Sequence, residues 1–117
     1  MLMAGDKALN PSNVKGQEIG AATQGMGAAL FEQLVYDGPQ IANSNLIEYR
    51  VPRTTDIPTV IEGITVERQD GPGPYGSKGI GEGAITPFAS AITAAVADAI
   101  GVWFESIPIT ISVRANS

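Results

Sequence analysis

The chain has 117 residues with 12 Asp plus Glu, 7 Lys plus Arg, a net charge of -5 and neither cysteine nor histidine. Its size bounds it to one domain, residues 1–117, and the missing residue types exclude disulfides, thiolate or imidazole metal sites and any triad built on a histidine base. The acidic balance argues against nucleic-acid or anionic-membrane partners, so any site must be built on carboxylates, amides and backbone.

An apolar share of 44% suffices for a core, yet 14 Gly and 8 Pro are in excess of ordinary usage and need a reason. No leader with a basic start and a long apolar stretch is expected at the N-terminus. The uncharged stretch 83–97 reads as too short and too polar for a membrane span, which makes the cytoplasm the expected compartment.

In chain order, Asn10 followed by Pro11 predicts a helix start, and the helix is expected to run to about Gln33 or Tyr36. It contains Gly16, Gly20, Gly25 and Gly27, which together cost about 3 to 4 kcal/mol of intrinsic helix stability that tertiary contact must offset. Gly16, Gly20, Thr23 and Gly27 share one face, where a second backbone or a ligand can come close. Residues 45–51 are expected as a strand closed by Pro52, and residues 59–68 as a strand with a bulge at Gly63. A Gly/Pro loop over 69–83 leads to a second helix with Thr86 as N-cap, Pro87 at its first position and Gly101 as its stop. Alternation over 107–113 predicts a last strand, and Trp103 and Phe104 are expected in the core. The sum is an α+β fold, two main helices packed on a small sheet of about three or four strands.

Gly71, Gly73 and Gly76 spell GxGxxG, but Pro72 and Pro74 lack the N–H groups a pyrophosphate needs and no helix follows at once. The same stretch also fails as a phosphate-binding loop, because Ser77 precedes Lys78. More informative is 76–83, where Glu82 is the one carboxylate among four glycines just ahead of a helix. The helix start and Lys78 favour its ionised form, as a general base requires. The alternative is a solvated glutamate on a surface loop. Gln17 and Gln24, two turns apart on one helix face, can hold a heterocycle or stand in solvent. Glu48, Glu62, Glu67 and Asp70 lack metal-loop spacing, and no metal ligand is assigned.

The sequence Lys78-Gly79-Ile80-Gly81-Glu82, with the Pro87 helix and Ile107-Pro108-Ile109-Thr110 after it, resembles the C-terminal segment of the molybdopterin-binding subunit of the xanthine dehydrogenase, aldehyde oxidase and carbon monoxide dehydrogenase family. Upstream, Leu9-Asn10-Pro11, Val14-Lys15-Gly16-Gln17, Gln24-Gly25-Met26-Gly27, Tyr49-Arg50-Val51-Pro52 and Asp56-Ile57-Pro58 are similar to successive stations of that segment. The resemblance implies oxidative hydroxylation of an aldehyde, an N-heterocycle or a carbon monoxide-like substrate at a molybdenum held by a pterin dithiolene. Glu82 matches the base, and Gln24, Gln17, Lys78, Gly79 and Gly81 match positions against a molybdenum–molybdopterin cofactor, a dinucleotide form being expected.

This chain departs from the family where Asp6 or Lys7 replaces a usual glycine. Family subunits are also several times longer, so the rest of the molybdopterin subunit and iron-sulfur and flavin subunits are the implied partners, and the chain is not expected to be active alone. The rival reading is a non-catalytic assembly module, or truncated relic, that forms a homo-oligomer when isolated.

Overall fold

The computed structural model describes residues 2–68 and 70–109. The first strand, β1 (Leu2–Asp6), is followed by helix α1 (Pro11–Leu30). Asn10 Oδ1 accepts the Asn13 N–H at 3.1 Å and Pro11 takes the first helical position, as the sequence predicts. The helix ends at Leu30, earlier than expected, where the N–H groups of Phe31 and Glu32 both turn back to the Gly27 carbonyl. Its buried side is Val14, Glu18, Ala21, Ala22, Met26 and Ala29, a stripe of small residues interrupted by one carboxylate.

Strands β2 (Tyr36–Asp37) and β3 (Gln40–Ile41) form a short antiparallel hairpin, turned by Gly38 at φ 58°. Asn43 holds its base, with Oδ1 accepting the Val35 N–H at 2.8 Å and Nδ2 donating to the Gln33 carbonyl at 2.6 Å. The strand expected at 45–51 does not form. Asn45 instead captures local backbone, its Oδ1 accepting from the N–H groups of Ile47 and Glu48, so a side-chain-bonded turn replaces the ladder. The expected strand at 59–68 shortens to β4 (Ile64–Arg68), with Gly63 ahead of it rather than within it.

The β4 strand pairs in parallel with β1, from Leu2 opposite Ile64 to Asp6 opposite Arg68. Nothing in the short sequence of β1, Leu-Met-Ala-Gly-Asp with no β-branched or aromatic residue, announces a strand, and its pairing depends on α1 and a long return connection. The fold is α+β, and its sheet is split into two pairs of strands.

The loop after β4 closes on itself. Gly71 N–H donates to the Gly76 carbonyl and Gly73 N–H to that of Ser77, while Tyr75 and Gly76 both have positive φ, at 59° and 74°. A 3-10 turn, Glu82–Ala84, then runs directly into α2 (Ile85–Ile100). The helix therefore starts earlier than the expected Thr86 cap. Pro87 still falls in the first turn, where a missing N–H costs nothing, and Gly101 ends the helix at φ 71° as expected.

The two helices pack together, and Ala84 and Ala97 are buried. The run Glu82–Ile100 is 19 residues with a mean hydropathy of 1.4, long and apolar enough by those two measures to cross a membrane, which corrects the expectation of too short a stretch. Beyond it, the Ile109 N–H donates to the Ala29 carbonyl at 2.8 Å. Trp103, expected in the core, is 77% exposed, and Phe104 is half-buried. Of the strand expected over 107–113, residues 107–109 are irregular and the remainder lies outside the described residues.

Candidate functional site

A cleft of about 420 Å³ opens between the start of α1 and the loop that follows β4. The chain between β1 and α1 contributes Lys7, Leu9 and Asn10, and the first turns of α1 contribute Asn13 and Gln17. Thr65 of β4 lines it beside Ser77, Lys78, Gly79 and Ile80 of the loop. Three residues singled out from the sequence, Gln17, Lys78 and Gly79, are thus brought together from opposite halves of the chain. Lys78 Nζ is 3.0 Å from Asp70 Oδ1, and the Lys7 ammonium sits 5.5 Å from the centre of the Tyr75 ring. Each ammonium is held by a neighbour, Lys78 by a carboxylate and Lys7 by a ring face.

The other expected site residues stand apart from this cleft. Gln24 is exposed on α1, about 10 Å further along the axis than Gln17. Gly81 and Glu82 follow the cleft-lining Ile80, and both are exposed. Glu82 begins the 3-10 turn whose last residue, Ala84, is buried, so the backbone under the carboxylate is anchored while the side chain faces outward. Its carboxylate has no hydrogen-bond or ion-pair partner among the described residues. A Cβ placed on Gly79 or Gly81 would meet nothing within 4 Å, so these glycines leave open space above the loop.

The glycine face on α1 also divides. At Gly16 and Gly20 an added Cβ would meet nothing within 4 Å, whereas Gly27 is buried against Glu32 and Pro52. The close helix contact falls at Gly25, off the expected face, where an added Cβ would lie 2.6 Å from Phe88 Cβ.

Lys7, Asn10, Asn13, Thr65 and Ser77 were not anticipated as cleft residues. In the sequence Asn10 reads as a helix cap and as part of the Leu9-Asn10-Pro11 station, and Thr65 as part of a strand. Glu18 was missed as well, although its spacing from Val14, Ala21 and Ala22 places it within the buried stripe and could have revealed it.

The donor set suits part of a phosphorylated heterocycle. The ammonium groups of Lys7 and of the Asp70-paired Lys78 can meet anionic oxygens, and the amides of Asn10, Asn13 and Gln17 offer both donors and acceptors to a ring. The cleft is open and small, so it takes only part of such a group, and a second surface must cover the rest.

Residues 1–58 match the molybdopterin cofactor-binding domain. The gamma subunit of the 6-hydroxypseudooxynicotine dehydrogenase complex of Paenarthrobacter nicotinovorans is 38% identical over 108 residues, which cover 89% of this chain and 14% of that subunit. The molybdenum-binding subunit of Escherichia coli aldehyde oxidoreductase is 38% identical over 111 residues, 92% of this chain and 15% of its own length. Quinoline 2-oxidoreductase from Pseudomonas putida 86 superposes with a TM-score of 0.80 at 33% identity, covering 93% of this chain and 14% of that one. The chain thus spans about 14% of the length of the relatives it matches.

Proposed function

From the premise that the chain belongs with the molybdopterin-binding subunits of the xanthine dehydrogenase, aldehyde oxidase and carbon monoxide dehydrogenase family, we propose that it is a portion or small split subunit of a molybdenum hydroxylase. In this reading it supplies Glu82 as general base, with the active site completed by another polypeptide. The observation that carries the reading is the convergence of Gln17, Lys78 and Gly79 on one polar cleft, close in sequence to an exposed carboxylate on an anchored turn.

When bound, a molybdenum–molybdopterin group supplies the two-electron oxidation of the substrate carbon. Lys7 and Lys78 draw its anionic oxygens, and the Asn10, Asn13 and Gln17 amides orient its ring. Gly79 and Gly81 would keep side chains out of the space it needs, and Gln24 would offer it an amide from further along α1. Glu82 takes the proton of the attacking oxygen nucleophile on its carboxylate, a role open to it because no group of its own chain claims that carboxylate among the described residues. The remainder of the molybdopterin subunit and iron-sulfur and flavin subunits complete the assembly in this reading. A dinucleotide form of the pterin fits a cleft that holds only one end of its ligand.

The test is Glu82→Gln in the complex co-expressed with the neighbouring larger subunit. Molybdenum and pterin content should stay at the wild-type level while turnover falls by about 10²-fold to 10⁴-fold. A loaded variant with full activity overturns the role of Glu82.

A further inference from the structure

Glu18 is a carboxylate only 3% exposed, held on α1 among Val14, Ala21 and Ala22. Its Oε1 accepts the hydroxyl proton of Thr65 at 2.9 Å, and it has no ion-pair partner among the described residues. Gly63 closes over the other oxygen so tightly that any Cβ there would collide with Oε2. The same Thr65 lines the cleft together with Lys7 and Lys78. A threonine hydroxyl has one proton and two lone pairs, and here the proton is committed to Glu18. Toward the cleft, Thr65 therefore presents lone pairs alone.

We infer that Glu18 is a positioning residue that makes Thr65 an obligatory acceptor and so selects a ligand group bearing an N–H or O–H donor at that wall. The cleft then combines ammonium donors with an acceptor backed by a buried carboxylate. This inference rests on the cofactor reading above, in which the matching donor is a ring N–H or amino group of the pterin. A ligand without such a donor leaves the Thr65 lone pairs desolvated and unmet, and is discriminated against for that reason.

The experiment uses the complete co-expressed complex and reads the pterin retained per folded complex after prolonged gel filtration. Pterin is measured by the fluorescence of its oxidised, released form, alongside molybdenum content and melting temperature. In Glu18→Met no acceptor remains for the Thr65 hydroxyl, whose proton is then free to turn toward the cleft. Pterin retention should fall roughly tenfold, as expected when one buried acceptor loses its role, with the melting temperature little changed. Thr65→Ser should retain pterin, and Thr65→Val should lose it.

Wild-type retention by Glu18→Met overturns the inference, as does equal retention by Thr65→Ser and Thr65→Val. That second comparison, made per folded complex, decides the matter if Glu18→Met does not fold. A wild-type complex without pterin overturns the cofactor reading and this inference with it. A loaded wild type with equally loaded variants overturns this inference alone.

Discussion

At Gly25 the main chain of α1 meets α2, and the absence of a side chain there is what lets Phe88 settle against it. An added Cβ would stand 2.6 Å from Phe88 Cβ, closer than packed carbons tolerate, so one helix would have to retreat. Gly25→Ala should destabilise the chain by about 1–3 kcal/mol, the usual cost of forcing extra volume into a close contact. Gly16→Ala and Gly20→Ala are expected to do the opposite. Both positions are helical and open to solvent, so each should add about 0.5–1 kcal/mol of helix stability. Chemical denaturation of the three variants separates the cases, and a stabilised Gly25→Ala would show that the helices do not meet as described. If Gly16 and Gly20 serve a ligand, their alanine variants should combine higher stability with weaker pterin retention in the complex.

Between the hairpin and β4 the chain is held by side chains rather than by a ladder. Tyr49 donates its hydroxyl proton to Glu32 Oε2 at 2.8 Å, and the Arg50 guanidinium lies 4.3 Å from the Phe31 ring centre while bonding Asp56 Oδ1 at 3.1 Å. Asp56 Oδ2 accepts the Arg53 N–H at 2.9 Å. That N–H, aided by Arg50 and opposed by partial desolvation, lowers the Asp56 pKa. Its contribution is complete above the unfolded aspartate value of about 4 and is lost as pH falls through the lower folded value. The Tyr49 pKa is raised, first by its bond to Glu32, so its contribution is present below about pH 10 and disappears as pH rises through the folded value. Cleavage of residues 45–58 by acid- and alkali-tolerant proteases should therefore increase at both extremes, with Asp56→Asn already susceptible at neutral pH and Tyr49→Phe indifferent to alkali.

The sequence pattern over 45–51 reads as a strand because Leu46, Ile47, Tyr49 and Val51 are good strand formers. It does not reveal that Asn45 bonds its own backbone or that Arg50 and Asp56 find each other across Pro52. By contrast, both helices and the Gly101 stop follow from local chemistry, and they form as read apart from boundary shifts of a few residues.

Over the whole molecule the exposed surface is 8643 Å², whereas a compact monomer of this mass exposes about 6,000 Å². The buried apolar residues are mainly alanines, and no large side chain among the described residues is fully buried. Leu46, Ile47, Val60 and Trp103 are 71% to 94% exposed. These facts account for what was illegible in the sequence. Trp103 belongs to a core by type, but none of the described residues covers it. The cleft was legible only through Gln17, Lys78 and Gly79, since Thr65 and Lys7 reach it through the unforeseen pairing of β1 with β4.

So much uncovered apolar surface drives association when nothing else is present. The isolated chain should sediment as oligomers at micromolar concentration and bind a hydrophobic dye, and co-expression with the larger subunit should abolish both by giving a stoichiometric complex. If the isolated chain instead remains a monomer that binds no dye, the exposed residues are not an interface, and the split-subunit reading loses its physical basis. Self-association that persists unchanged beside the larger subunit would favour the non-catalytic assembly module.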